Sequence, residues 1–410
     1  MTVQISDTFK LQGYEFKNRL IKGAMSEGLA NTAGEVNHLH FGLYETWAKG
    51  DLGCSITGNV MVDIRAKNEP GVVAIEDTHD LAALKQWAAI GKKYNMIQLV
   101  QLSHPGRQCP RGLNRETVAP SAIGFGATLS TAFGVPRALT EAEIWDIIAR
   151  FGNAARICKE AGFEGVQLHG AHGYLISQFL SPLSNIRTDQ WGGSIENRMR
   201  FLLEVYKEVR KQTGENFIVS VKLNSADFQK GGFDESDAIA VFRAIDALGI
   251  DLIEISGGTY EAPAMAGAKR KESTVAREAY FLEFAEKIRG EVKTALMVTG
   301  GFRTRAGMDA ALSSGACDFI GIARPLAVET DAPANLIAGN NVRYAVKPIK
   351  TGVAMLDKMA VMEVIWYAAQ FKAIGQGQQP KPDLSPLKVL FNYTRNNIKA
   401  VIQGRTKLRA

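Results

Sequence analysis

Short apolar runs recur along the chain, each followed by a stretch whose apolar positions return at helical spacing. The pattern predicts eight strands, at residues 19–25, 54–62, 96–102, 165–168, 217–223, 252–256, 295–299 and 319–323. Helical stretches run over 38–49, 80–94, 140–160, 194–212, 234–248, 280–289 and 306–314, with one more after Pro325. Asp80 stands near the start of the second, and Thr140 with Glu143 forms a capping box at the third. Continuously apolar strands belong in a parallel sheet covered by helices, and eight such strand–helix units describe that sheet closed on itself, a TIM (β/α)8 barrel. An open doubly wound sheet is the alternative, but no dinucleotide GxGxxG is present to favour it.

Two further patterns flank these units. Val3, Ile5, Phe9 and Leu11 alternate around a turn at Gln12 and Gly13, which predicts a hairpin plugging the bottom of the barrel. Beyond about Asp331 the pattern loosens, with helices expected over 355–371 and 387–402 but no domain-sized core. The expected organisation is a barrel over residues 1–335 and a helical, basic extension over 336–410, wrapped on the barrel or on a partner subunit.

Composition narrows the function classes. With 410 residues, 46% of them apolar and 22% charged, the chain suits one large α/β domain. No apolar run is long enough to span a membrane, and the first ten residues lack a basic and then apolar leader, so the expected location is the cytoplasm. The four cysteines lie too far apart in sequence for a metal knuckle, an iron–sulfur site or a disulfide framework. The net charge of +6 sits in the tail, where six basic residues and no acidic one follow Asp383. A nucleic-acid surface is not what that distribution describes. The tail reads as a solvated or subunit-docking helical end, or else as a contact for anionic lipid or nucleic acid; a homo-oligomer is compatible with the former, and membrane association is not expected.

Candidate chemistry gathers in the stretch from Gly165 to Phe201, where a short strand delivers His169, His172 and Tyr174 and a long irregular loop follows. Strand ends feeding such loops are where barrel enzymes place their catalytic groups. The other strand ends supply Met25 and Ser26, Thr57 and Gly58, Gln101 and His104, Lys222 and Asn224, Gly257 and Gly258, Gly300 and Gly301, and Ala323 and Arg324. Glycines after strand seven and an arginine after strand eight suit a phosphate-bearing cofactor, though turn glycines and a surface charge would look the same. Lys222 on an apolar strand suits an anionic ring or phosphate, or an ion pair with Glu254. Gln101 can both donate to and accept from a heterocycle edge. The histidines lack nearby acidic or thiol partners, so no metal is expected; they read as hydrogen-bond donors to a carbonyl or as a structural pair. The excursion from Ser103 to Leu139 and the small-residue loop from Gly257 to Lys271 would shape a substrate pocket.

The string HGAHGYLISQFLSPLSNIRTDQWGGSIENRMRFLLEV resembles the signature of the Old Yellow Enzyme family of FMN-dependent ene reductases, the NADH:flavin oxidoreductases, and its HxxH spacing resembles the bacterial-type branch. RLIKGAMSEGLA, MIQLVQLSHPGRQ, VKLNSADF, VTGGFRTRAGMDAAL and DFIGIARPLA extend the resemblance from about residue 5 to about 335. It implies non-covalent FMN at the barrel mouth. Ala24, Met25 and Ser26 would line the flavin, with Gly58 and Gln101 at its polar edge and Lys222 on its pyrimidine side. Gly300, Gly301, Ala323 and Arg324 would hold the phosphate. His169 and His172 would bind the activating group of the substrate, and Tyr174 would donate a proton. The implied reaction passes a hydride from NADH or NADPH through the flavin to an activated alkene such as an enone, enal or nitroalkene. Ser26 stands where relatives often have Thr or Cys, Lys222 where many have Arg, and Ala24 where proline is frequent. The alternatives are another flavin task on the same frame (demethylation, nitro-group or aromatic-ring reduction) and a non-catalytic barrel whose basic tail binds a membrane or partner.

Overall fold

The computed structural model describes residues 2–126, 129–262, 279–340, 343–344, 347–353 and 361–395. Eight parallel strands form the expected closed barrel: β1 (Leu20–Lys22), β2 (Cys54–Met61), β3 (Ile97–Ser103), β4 (Gly165–Gly170), β5 (Ile218–Asn224), β6 (Leu252–Ser256), β7 (Ala295–Thr299) and β8 (Phe319–Ile322). Closure comes from pairing the first strand with the last, Leu20 against Ile320 and Lys22 against Ile322, while Ile21 pairs with Cys54 on the other side. The short strands agree with the apolar runs because burial on both faces leaves no alternation to read.

The bottom is closed as expected. Strands Phe9–Leu11 and Tyr14–Phe16 form an antiparallel hairpin whose turn residues Gln12 and Gly13 both take positive φ, 48° and 79°. The hairpin sets Phe9 and Phe16 against Phe319, with ring centroids 4.8 and 4.9 Å apart. Above the hairpin, Ile21, Cys54, Leu99, Ile218, Leu252 and Met297 fill the barrel as one apolar layer.

The helices α1 (His38–Lys49), α2 (Leu81–Lys93), α3 (Glu141–Ala161), α4 (Ile195–Thr213), α5 (Glu235–Ala247), α6 (Leu282–Arg289) and α7 (Arg305–Ser313) follow β1 to β7. At α3 the capping box is made: Glu143 N–H donates to Thr140 Oγ1 at 3.3 Å, and Thr140 N–H to Glu143 Oε2 at 2.8 Å. Asp80 does not cap α2; it accepts the Val36 N–H at 3.1 Å and so ties down the loop before α1. After β8 come a 3-10 turn (Arg324–Ala327), a short helix (Ala332–Ile337) and then α8 (Val361–Gly375).

Helix α8 crosses α1 closely. A Cβ on Gly42 would lie 2.4 Å from the Gly375 carbonyl oxygen, so only glycine allows this approach. Trp47, buried at the same crossing, packs on Phe371 and donates its indole N–H to Leu326 O at 3.1 Å. The chain beyond Arg324 is thereby bound to the barrel's first helix. Residues 386–395 are helical; 355–360 of one expected helix and 396–402 of the other lie outside the described residues, as do residues 263–271 of the loop after β6 and Lys399, Arg405, Lys407 and Arg409 of the tail. No described helix is long and apolar enough to cross a membrane.

Candidate active site

At the C-terminal ends of the strands the apolar filling gives way to a polar layer. Gln101 Nε2 donates to Gln167 Oε1 at 2.8 Å, Gln167 Nε2 donates to Glu254 Oε2 at 2.9 Å, and Lys222 Nζ lies 2.9 Å from Glu254 Oε1. All four side chains are buried, so the network holds a desolvated cation and carboxylate in register across β3, β4, β5 and β6. Lys222 pairs with Glu254 and also lines the cavity above.

That cavity, of about 270 Å³, opens over the polar layer. Of the residues expected from sequence, Ala24, Met25, Ser26, Gln101, His169, His172, Tyr174, Lys222, Gly300, Gly301, Ala323 and Arg324 all line it. Gly58 does not. A register shift between Ile56 and Asn59 turns Asn59 into the cavity instead, and the Gly58 N–H points outward to Glu27 Oε1 (3.0 Å) and the Tyr44 hydroxyl (3.3 Å). His104 also lies apart: its ring Nδ1 accepts the Gly106 N–H, and burial pushes its pKa down to about 4. Asn224 acts on the loops, accepting the His172 N–H at 3.3 Å and donating to Gly258 O at 3.0 Å.

The β4 loop builds the end that carries His169, His172 and Tyr174. His172 adopts φ 61° and Gly173 φ 78°, two consecutive left-handed residues that fold the chain back across the mouth. The strain at His172 is held by three contacts: Asn224 on its N–H, Gln108 Nε2 donating to its carbonyl at 2.8 Å, and Ser256 Oγ at 2.7 Å from its Nε2. Tyr174 stands at the start of the helix Leu175–Leu180, its ring centroid 4.5 Å from that of His169. Burial, and then the Lys222 cation, hold both imidazoles well below their usual pKa, so they are neutral. His169 Nδ1 accepts the Ala171 N–H, which leaves the ring proton on Nε2. Burial raises the Tyr174 phenol well above its usual value, with Tyr260 and Glu69 adding to the effect, so it keeps its proton. Its hydroxyl accepts from Asn68 Nδ2 at 3.2 Å and lies 3.0 Å from the Tyr260 hydroxyl.

At the opposite end Gly300 and Gly301 take φ 110° and 98°, a backbone open only to glycine, and Arg324 lines the same cavity. A Cβ on Gly321 would collide with Thr299 Oγ1, so the strand there lies directly against the Thr299 side chain. Three buried polar atoms around this cavity have no hydrogen-bond partner: Asn59 Nδ2, Thr299 Oγ1 and the Tyr367 hydroxyl. Buried orphans of this kind are expensive unless something polar meets them.

Sequence reasoning missed Asn59, Tyr260, Thr299, Glu363, Val364 and Tyr367 among the lining residues. Tyr260, two residues past the Gly257–Gly258 pair, was within reach of the strand-end rule. Glu363, Val364 and Tyr367 come from α8, and no local signal marks them.

A parallel eight-stranded barrel with a neutral histidine pair, a protonated phenol, paired glycines and an arginine around one cavity at its strand ends defines a class, the barrel enzymes. The chain belongs to the NADH:flavin oxidoreductase / NADH oxidase family, whose sequence profile matches residues 7–341. It is 38% identical over 356 residues to the NADH-dependent flavin oxidoreductase iliE of Hypocrea jecorina, covering 81% of this chain and 88% of that one. It is 33% identical over 328 residues to an NADPH dehydrogenase of a Geobacillus species, covering 80% and 91%. In fold it is similar to the Old Yellow Enzyme homologue from Zymomonas mobilis, with a TM-score of 0.72, 24% identity, and 83% and 94% of the two chains covered. The protein is thus an NAD(P)H-dependent flavin oxidoreductase that uses FMN. The donor set fits that cofactor: amide and hydroxyl groups for a heterocycle edge, one lysine beside them, and a glycine cradle with a guanidinium at the far end.

Proposed function

We propose that the enzyme reduces activated C=C bonds, such as those of enones, enals or nitroalkenes. The observation that carries this reading is the buried, protonated Tyr174 phenol beside two neutral imidazoles in the same cavity as Lys222. Ala24, Met25, Ser26 and Gln101 would contact the isoalloxazine ring, Lys222 its pyrimidine side, and Gly300, Gly301, Ala323 and Arg324 the phosphate. The chemistry supplied by bound FMN is hydride exchange, first with NAD(P)H and then with the substrate.

The remaining steps belong to side chains of this chain. His169 Nε2–H and the His172 ring hold the substrate's electron-withdrawing oxygen, which draws charge off the alkene. As the β-carbon gains a hydride, Tyr174 gives its proton to the α-carbon, so the product carries one hydride and one proton and NAD(P)H is left oxidised. Tyr260, 3.0 Å away, steadies the phenolate that results. Tyr174→Phe should slow alkene reduction by roughly 10²–10⁴-fold while NAD(P)H still reduces the flavin at near its original rate, as followed by anaerobic stopped-flow absorbance. Equal loss in both half-reactions would contradict the proton-donor role. A panel of enone, nitroalkene, nitroaromatic and aromatic-ring substrates under the same conditions checks the substrate class.

A further inference from the structure

The geometry points to Tyr367 of α8 as a ligand of the FMN phosphate, and to Glu363 as the group that holds Arg324 until the phosphate arrives. This rests on the phosphate lying between Gly300, Gly301 and Arg324. Tyr367 is 6% exposed, its hydroxyl is buried without a hydrogen-bond partner, and it lines the cavity at the end where Arg303 and Arg324 also stand. A phenol donor flanked by two guanidiniums is built for an anion, since the cations attract the charge and the hydroxyl can donate to one of its oxygens. Glu363, one helical turn before Tyr367, has its carboxylate 3.7 Å from the Arg324 guanidinium, with both side chains only part-exposed. A phosphate at Arg324 would stand beside that carboxylate, so uptake of the cofactor exchanges one anion for another at the same guanidinium. Residues 363 and 367 lie beyond the 7–341 segment that the family profile matches.

The test is a fluorescence titration of the full-length protein, stripped of flavin, with FMN and separately with riboflavin, which carries the same ring and no phosphate. Tyr367→Phe should weaken FMN by about tenfold, the loss of one hydrogen bond to a charged group, and leave riboflavin unchanged. Glu363→Gln should tighten FMN severalfold, again without moving riboflavin. Wild-type protein that binds the two flavins equally would overturn the phosphate placement itself. Wild-type protein that prefers FMN, with Tyr367→Phe showing the same preference, would overturn only the role of Tyr367. Far-ultraviolet circular dichroism checks that each variant is folded, and the Glu363→Gln arm stands if Tyr367→Phe is not.

Discussion

The two ends of the barrel are built from the same eight strands to opposite specifications. At the closed end Phe9, Phe16 and Phe319 meet over an apolar layer, and the side chains that fill the barrel there only pack. At the open end the same strands carry Gln101, Gln167, Lys222 and Glu254, and the cavity above them keeps three buried polar atoms without partners. One end lowers the energy of the fold. The other spends part of that gain on groups that become satisfied only when something polar is bound.

The comparison breaks if substitutions at the two ends act alike. Phe319→Ala at the closed end should cost about 3–5 kcal/mol in a urea titration, with FMN affinity of the folded fraction preserved. A matching loss of FMN affinity would mean the ends are not separable. Glu164, at the start of β4 beside the plug, is 6% exposed, and burial raises its pKa to about 7. Tyr14, Cys54 and Lys92 face it, and it accepts the Gln98 N–H at 2.9 Å. Because its folded pKa is raised from 4.5, the stability it contributes is full below pH 4.5 and is lost as pH rises through about 7. Glu164→Gln should therefore flatten the fall in stability between pH 4.5 and 7 by on the order of 2 kcal/mol, read from urea midpoints across that range. An unchanged slope would remove Glu164 from the account. The smallest effect has opposite signs in two assays: Thr299→Val, which keeps the shape but deletes an orphaned hydroxyl, should stabilise the flavin-free protein by about 1 kcal/mol and weaken FMN binding. If both quantities fall, Thr299 is a packing residue like those below it.

The sequence carried the barrel well because a strand buried on both faces is a short apolar run, and eight of them in a row leave few other architectures. It also brought His169, His172 and Tyr174 into one cavity, since they are near neighbours in the chain and stay so in space. What it could not carry was contact between distant elements. Tyr260 reaches Tyr174 across 86 positions, and Tyr367 enters the cavity from a helix whose pattern announces helicity but not which neighbour it faces. Gly58 was misjudged for a different reason. The irregularity in β2 shifts the inward-facing role from Gly58 to Asn59, and a register shift of that kind leaves no trace in a run of buried residues. Lys222 had two readings in sequence, ion pair or ligand contact; the fold makes the ion pair with Glu254 and leaves the side chain lining the cavity.

The crossing of Gly42 and Gly375 sets an order of events during synthesis. Gly42 emerges before seven of the eight strands, whereas its counterpart emerges only after all eight, 53 positions past Ile322, the last residue of β8. All eight strands therefore precede in synthesis the helix bearing Glu363 and Tyr367, which covers the glycine face of α1. The wall nearest Arg324 is thus laid down after every strand of the barrel.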